Sequence, residues 1–150
     1  MLTQHLKQYR RQHPEDDEFA AVHLNYKCIK VVDRVPGCFA YLEELYLNHN
    51  NLATLAGMEA FLNIKIFHFR FNYVVDLQEL RRISNPFFLK SLAVLGNQLE
   101  SDPSCNEKWL RGNWFRNLEE FNPPSSQYYR EQDKSTPMSL NDRNKTLSLD

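Results

Sequence analysis

The feature that most restricts this chain is an internal repeat. From Leu42 the sequence reads Leu42-Glu-Glu-Leu45-Tyr-Leu47-Asn-His-Asn50-Asn-Leu52, an LxxLxLxxNxL pattern. Ile64, Phe67, Phe69, Asn72 and Val74 repeat it, and so do Leu89, Leu92, Val94, Asn97 and Leu99. Upstream, Phe19, Val22, Leu24 and Ile29 fit the same frame, with Lys27 in the asparagine place. Every apolar position is filled in all four frames, whereas a composition 42% hydrophobic would fill fewer than half of them by chance.

The spacing has a physical reading. Side chains alternate along a strand, so pairs such as Leu45 and Leu47 point to one face of a short strand. The asparagine stands where the chain turns off that strand. Its amide both donates and accepts, and so satisfies backbone groups that stacking would otherwise bury unpaired. Leu52, Leu55, Met58 and Phe61 then bring the chain back over the core. A single coil cannot bury its own apolar face, which forces the coils to stack.

With these residues in hand, the pattern resembles the roughly 22-residue class of leucine-rich repeats found in the phosphatase-1 regulatory subunit, axonemal dynein light chains and the spliceosomal A-prime protein. The resemblance covers about residues 19–121. It implies an α/β fold: a short solenoid of about four repeats with a parallel concave sheet, closed by a helical cap at each end. Departures from the pattern are Lys27, the phenylalanines of the third repeat, and a stretch between Asp76 and Pro86 that is longer than a regular coil. In that stretch Leu77, Leu80 and Ile83 lie three apart, which predicts a short helix on the convex side.

The ends are read from capping and composition. Residues 1–18 form an N-terminal capping segment, with a helix expected over 3–12, Thr3 as its N-cap and Leu2, Leu6 and Tyr9 on one face. Lys7, Arg10 and Arg11 face water, and the acidic run Glu15-Asp-Asp-Glu18 follows. The segment from Asn106 to Phe121, with Trp109 and Trp114, resembles the C-terminal cap of this repeat class, Trp109 and Asn122 standing where that cap has a tyrosine-arginine pair and a terminal aspartate. Residues 122–150 begin Asn-Pro-Pro-Ser-Ser and are poor in apolar residues, which predicts a disordered tail. Thr136-Pro137 and Arg143-Asn-Lys-Thr146 would suit phosphorylation.

Composition narrows the function classes. The net charge is −1, and a chain that grips nucleic acid by itself is usually basic. No apolar run approaches the length needed to span a bilayer, and the first residues lack the features of a secretory signal. Cys28, Cys38 and Cys105 have no paired spacing and are expected as reduced thiols in an intracellular compartment, cytoplasmic (cytoskeletal) or nuclear. There is no GxGxxG, P-loop, GxSxG, HExxH or paired CxxC, so no catalytic centre, cofactor or metal is expected.

The repeat frame also places a candidate binding face. Residues between and after the apolar pair of each strand point to the concave side: His23 and Tyr26, then Glu44, Tyr46 and His49, then Ile66, His68, Arg70 and Phe71, and finally Leu95. His23 and His68 fall about 9.6 Å apart at ordinary strand spacing, too far to share one zinc. The remaining aromatic, arginine and apolar residues are the types that dominate protein interfaces. The expected function is therefore a non-catalytic, protein-binding adaptor or scaffold within a larger complex, with no direct nucleic-acid or membrane binding. Two alternatives come from the resemblance. One is a ribonucleoprotein subunit of the A-prime type that binds an RNA-binding partner, to which Leu24-Asn-Tyr-Lys27-Cys-Ile29 and Asp76-Leu-Gln-Glu-Leu-Arg-Arg-Ile are loosely similar. The other is an axonemal or centrosomal dynein-associated subunit.

Overall fold

The computed structural model describes residues 1–14 and 19–124. The acidic run at 15–18, the candidate phosphorylation sites and nearly all of the proposed tail lie outside the described residues. The fold is α/β, built on a five-stranded parallel sheet that does not close into a barrel. Its strands β1 (Ala21–His23), β2 (Glu44–Tyr46), β3 (Ile66–His68), β4 (Ser91–Ala93) and β5 (Glu120–Phe121) lie side by side in chain order. Four of them sit where the repeat frame put them. The fifth is additional, formed by the residues expected to end the C-terminal cap.

The register follows the repeat. Val22, Leu45, Phe67, Leu92 and Phe121 are aligned across the sheet. The first four are fully buried and belong to one continuous apolar core, against which Phe121 packs. Strands this short hold together because pairing extends beyond them. The carbonyls of Ala20, Glu43, Lys65 and Lys90 each accept two N–H groups from the next strand's entry, and Leu24, Leu47 and Phe69 continue the ladder on the far side. Each fully buried Leu or Phe contributes about 1.5–3 kcal/mol relative to exposure, so the column of core residues outweighs the few hydrogen bonds of any one strand.

The asparagines join neighbouring repeats. Asn50 Oδ1 accepts from the N–H groups of Lys27 and Ile29, both at 3.0 Å, while its Nδ2 donates to the carbonyls of Leu24 and Leu47. Asn72 and Asn97 repeat this, accepting from Leu52 and Val74 and donating to carbonyls of their own and the preceding repeat. Lys27 supplies no such side chain, and the first repeat is served from the second by Asn50. Asn122 closes the series by accepting from the N–H groups of Val94 and Leu95.

Just before each ladder position the backbone turns through the left-handed region, at Tyr26 (φ 58°), His49 (56°), Phe71 (56°) and Gly96 (81°). At Gly57 (φ 104°) a Cβ would come within 2.0 Å of the Val32 carbonyl oxygen, so only glycine fits.

The ends are covered differently from expectation. Helix α1 (Leu2–Gln12) starts with Met1 in the N-cap position and no side-chain cap, so Thr3 lies inside its first turn. Thr3 instead donates two hydrogen bonds outside the helix: its N–H to Asp33 and its hydroxyl to the Arg34 carbonyl. Leu2 and Leu6 are fully buried against the first repeat and Tyr9 is half-buried beside them. The helix predicted near 76–83 is a tight 3₁₀ segment, Leu77–Arg82, opened by Asp76, whose carboxylate accepts from the Gln78 N–H. Helix α2 (Glu107–Asn113) is capped by Asn106, which accepts from the Trp109 N–H at 2.8 Å. Beyond it Phe115 and Leu118 are buried.

Candidate functional site

The ten residues singled out from the sequence come together on one face of the sheet, in rows set by the register. His23, Tyr46 and His68 are direct cross-strand partners. The His23 and Tyr46 rings stack at 4.2 Å, and the His68 ring meets Tyr46 edge-on at 5.3 Å. A second row forms at the left-handed turns. Tyr26 stacks on His49 at 4.3 Å and His49 on Phe71 at 4.6 Å, with interplanar angles of 9° and 17°. The Phe71 ring ends that row against Gly96, where a Cβ would lie 2.3 Å from it.

The face is closed at its centre. Tyr46 is 2% exposed, His68 0% and Arg70 3%. Polar partners explain why they tolerate burial. The Tyr46 hydroxyl donates to Glu44 at 2.6 Å, and His68 Nε2 shares a 2.8 Å hydrogen bond with the Ser91 hydroxyl. The Arg70 N–H donates to Asn48 Oδ1 and its guanidinium donates to the carbonyl of Pro123. Pro123 is itself buried, so the chain remains packed on the fold past residue 121. Asn48 in turn donates to Asn25, giving a buried amide row beside the rings.

What stays accessible is the margin. His23, Tyr26, Glu44, His49, Ile66 and Phe71 are half-buried, and Leu95 is exposed. Sequence reasoning missed two features of this face. The pairing of Ser91 with His68 carries no sequence signal of its own. Glu120 joins the row of Glu44, Ile66 and Ser91 because β5 pairs with β4.

The electrostatics are those of a packed interior. Burial lowers the His23 pKa to about 4. Burial, then the charges of Arg70 and His23, lowers that of His68 to about 3. Both rings are neutral at ordinary pH. A serine hydroxyl on an imidazole is the pairing that activates a nucleophile. Here, however, Ser91 and His68 are both 1% exposed or less, so the pair is closed off from solvent. Glu44 faces Tyr46 and not an imidazole.

Among the described residues no three or more His, Cys, Asp or Glu side chains converge as a metal-ligand set, and no helix is long and apolar enough to cross a membrane. All three cysteines are free, and burial followed by Glu100 and Asp102 raises the Cys105 thiol to about 11. In comparisons with known proteins, no family model and no curated protein matches this chain.

Proposed function

We propose that the chain is a leucine-rich-repeat solenoid of the 22-residue class that acts without catalysis, as an adaptor or scaffold subunit holding another protein. The observation that carries this reading is the margin of the sheet face. There Tyr26, His49 and Phe71 form a ring stack that ends at Gly96, beside the exposed Leu95, whose carbonyl accepts from the Phe71 N–H. Rigid, half-buried aromatic side chains lose little entropy on contact and are the residue types that anchor protein interfaces. In this reading Tyr46, His68 and Arg70 support the face from beneath, and Leu95, Phe71 and Ile66 make contact. The asparagine ladder, the recurring left-handed turn and the in-order parallel strands support the solenoid assignment.

The test is affinity capture with mass spectrometry from the source cell, comparing the natural chain with an Ile66→Glu, Leu95→Glu double variant. Circular dichroism first establishes that the variant is folded. Selective loss of one protein supports the reading and names the client. An unchanged set of captured proteins overturns the assignment of this face. A client that returns only through RNA, and is lost on nuclease treatment, overturns protein binding itself.

A further inference from the structure

A second surface lies away from the ring stack, where the long unit between the third and fourth repeats meets the C-terminal cap. A cleft of about 360 Å³ opens there, between Leu80–Phe87 on one wall and Asn113–Arg116 on the other. The repeat does not require it. The extra residues between Asp76 and Pro86 build one wall, and the walls are tied together by Asn117, whose side chain donates to the Phe87 carbonyl at 2.8 Å.

The lining is apolar and cationic. The Arg81 guanidinium lies over the Trp114 ring at 5.7 Å, and that of Arg116 over the Phe87 ring at 5.8 Å. Phe87 is 56% exposed and its neighbour Phe88 45%. No lining residue is acidic. The acids nearby are already engaged: Glu79 and Glu59 pair with Arg82, and Glu107 with Arg111. Among the described residues Arg81 and Arg116 therefore have no carboxylate partner, and each lies exposed over an aromatic face.

We infer that this cleft docks a short acidic segment of a partner protein, an apolar side chain seated between Trp114 and Phe87 and a carboxylate meeting each arginine. A planar guanidinium offers a carboxylate two parallel N–H donors, and stacking fixes it before the ligand arrives. Charge complementarity selects this occupant over a nucleic acid, which would need a longer basic stripe to follow its phosphates. The site is separate from the sheet face and does not rest on that face being functional.

Trp114 lines this cleft and the chain's other tryptophan, Trp109, meets it with ring centroids 4.9 Å apart, so intrinsic fluorescence reports occupation of the cleft. The probes are capped octapeptides with a central Phe, Leu or Trp and two glutamates at varied distances from it. Matched glutamine peptides and a single-stranded oligouridylate serve as comparisons. We expect at least one glutamate peptide to shift the tryptophan emission with a Kd below about 1 mM. Its affinity falls about tenfold or more in the glutamine version and in Arg81→Gln or Arg116→Gln, and weakens with added salt. Arg11→Gln on α1, and the Ile66→Glu, Leu95→Glu variant, leave the affinity unchanged. The inference is overturned if no peptide binds, if the cleft arginine variants bind as the natural chain does, or if Arg11→Gln loses as much. It is also overturned if the oligouridylate binds more tightly than every peptide and loses affinity in the same arginine variants.

Discussion

Acidification should unfold this protein through His68 in a way that one substitution can isolate. The ring is fully buried beneath Tyr46, beside Arg70 and hydrogen-bonded to Ser91. Burial, Arg70 and His23 hold its pKa near 3, against 6.5 for the free side chain. Between those values the unfolded chain binds a proton that the folded chain does not, so stability rises with pH across the window. The contribution is fully present above pH 6.5 and is lost progressively as pH falls towards 3. At pH 5 the unfolded ring has gained about 1.5 pH units of protonation free energy, or about 2 kcal/mol. That is a large share of a margin of about 5–15 kcal/mol. The assay is urea unfolding at pH 7 and pH 5, for the natural chain and for His68→Gln, whose amide can still reach Ser91. The natural chain should lose about 2 kcal/mol more than the variant between the two pH values. His5, His23, Asp33, Glu59 and Glu79, whose pKa values are also lowered, are present in both proteins and cancel in the comparison. Equal losses, to within about 0.5 kcal/mol, would refute the argument that the buried imidazole is kept neutral.

Two other perturbations follow from the backbone. Asn50→Ala strands the N–H groups of Lys27 and Ile29 and the carbonyl of Leu24, while the Leu47 carbonyl keeps its bond from Asn72. At about 1–3 kcal/mol for each buried group left unsatisfied, thermal unfolding should show a loss of at least about 3 kcal/mol; a loss under about 1 kcal/mol would mean that water replaces the side chain. Gly57→Ala forces a Cβ against the Val32 carbonyl oxygen at positive φ and should cost more than about 2 kcal/mol in a urea titration. Gly37→Ala, where nothing lies within 4 Å, should change the midpoint little, and a similar loss at both positions would contradict the steric explanation.

Much of the fold could be read in the sequence because stacking imposes a rigid period. Val22, Leu45, Phe67 and Leu92 had to face one way, and Asn50, Asn72 and Asn97 had to stand at the turns. What lacked periodicity was harder to read. β5 is two residues long and follows a helix, so neither Glu120 nor Phe121 carries a strand pattern of its own. Thr3 has the chemistry of an N-cap but bonds to Asp33 and Arg34 from the next layer, a tertiary contact that local sequence does not encode. The ten candidate residues share one face of the sheet, at exposures that the repeat frame does not encode. Frame position tells which way Tyr46, His68 and Arg70 point, but their burial depends on neighbours such as Pro123, 53 residues further along from Arg70. The arginine cleft was missed for a similar reason: its two walls come from separate units, and only an irregular spacing hinted at it.

The left-handed turns record how the repeats depend on one another. Glycine would adopt that backbone freely, yet Tyr26, His49 and Phe71 occupy it at about 1 kcal/mol each. Each of these residues gives up local ease for contact with an adjacent ring. Replacing one by glycine therefore weighs a gain inside one repeat against a loss at the boundary between two, and the sign of the net change measures whether the repeats stand singly or hold each other. At Gly96 the exchange is reversed, since the backbone relaxes and Phe71 closes directly onto it. Mechanical coupling along the array is thus graded, carried by stacked rings through the first three turns and by close backbone approach at the fourth.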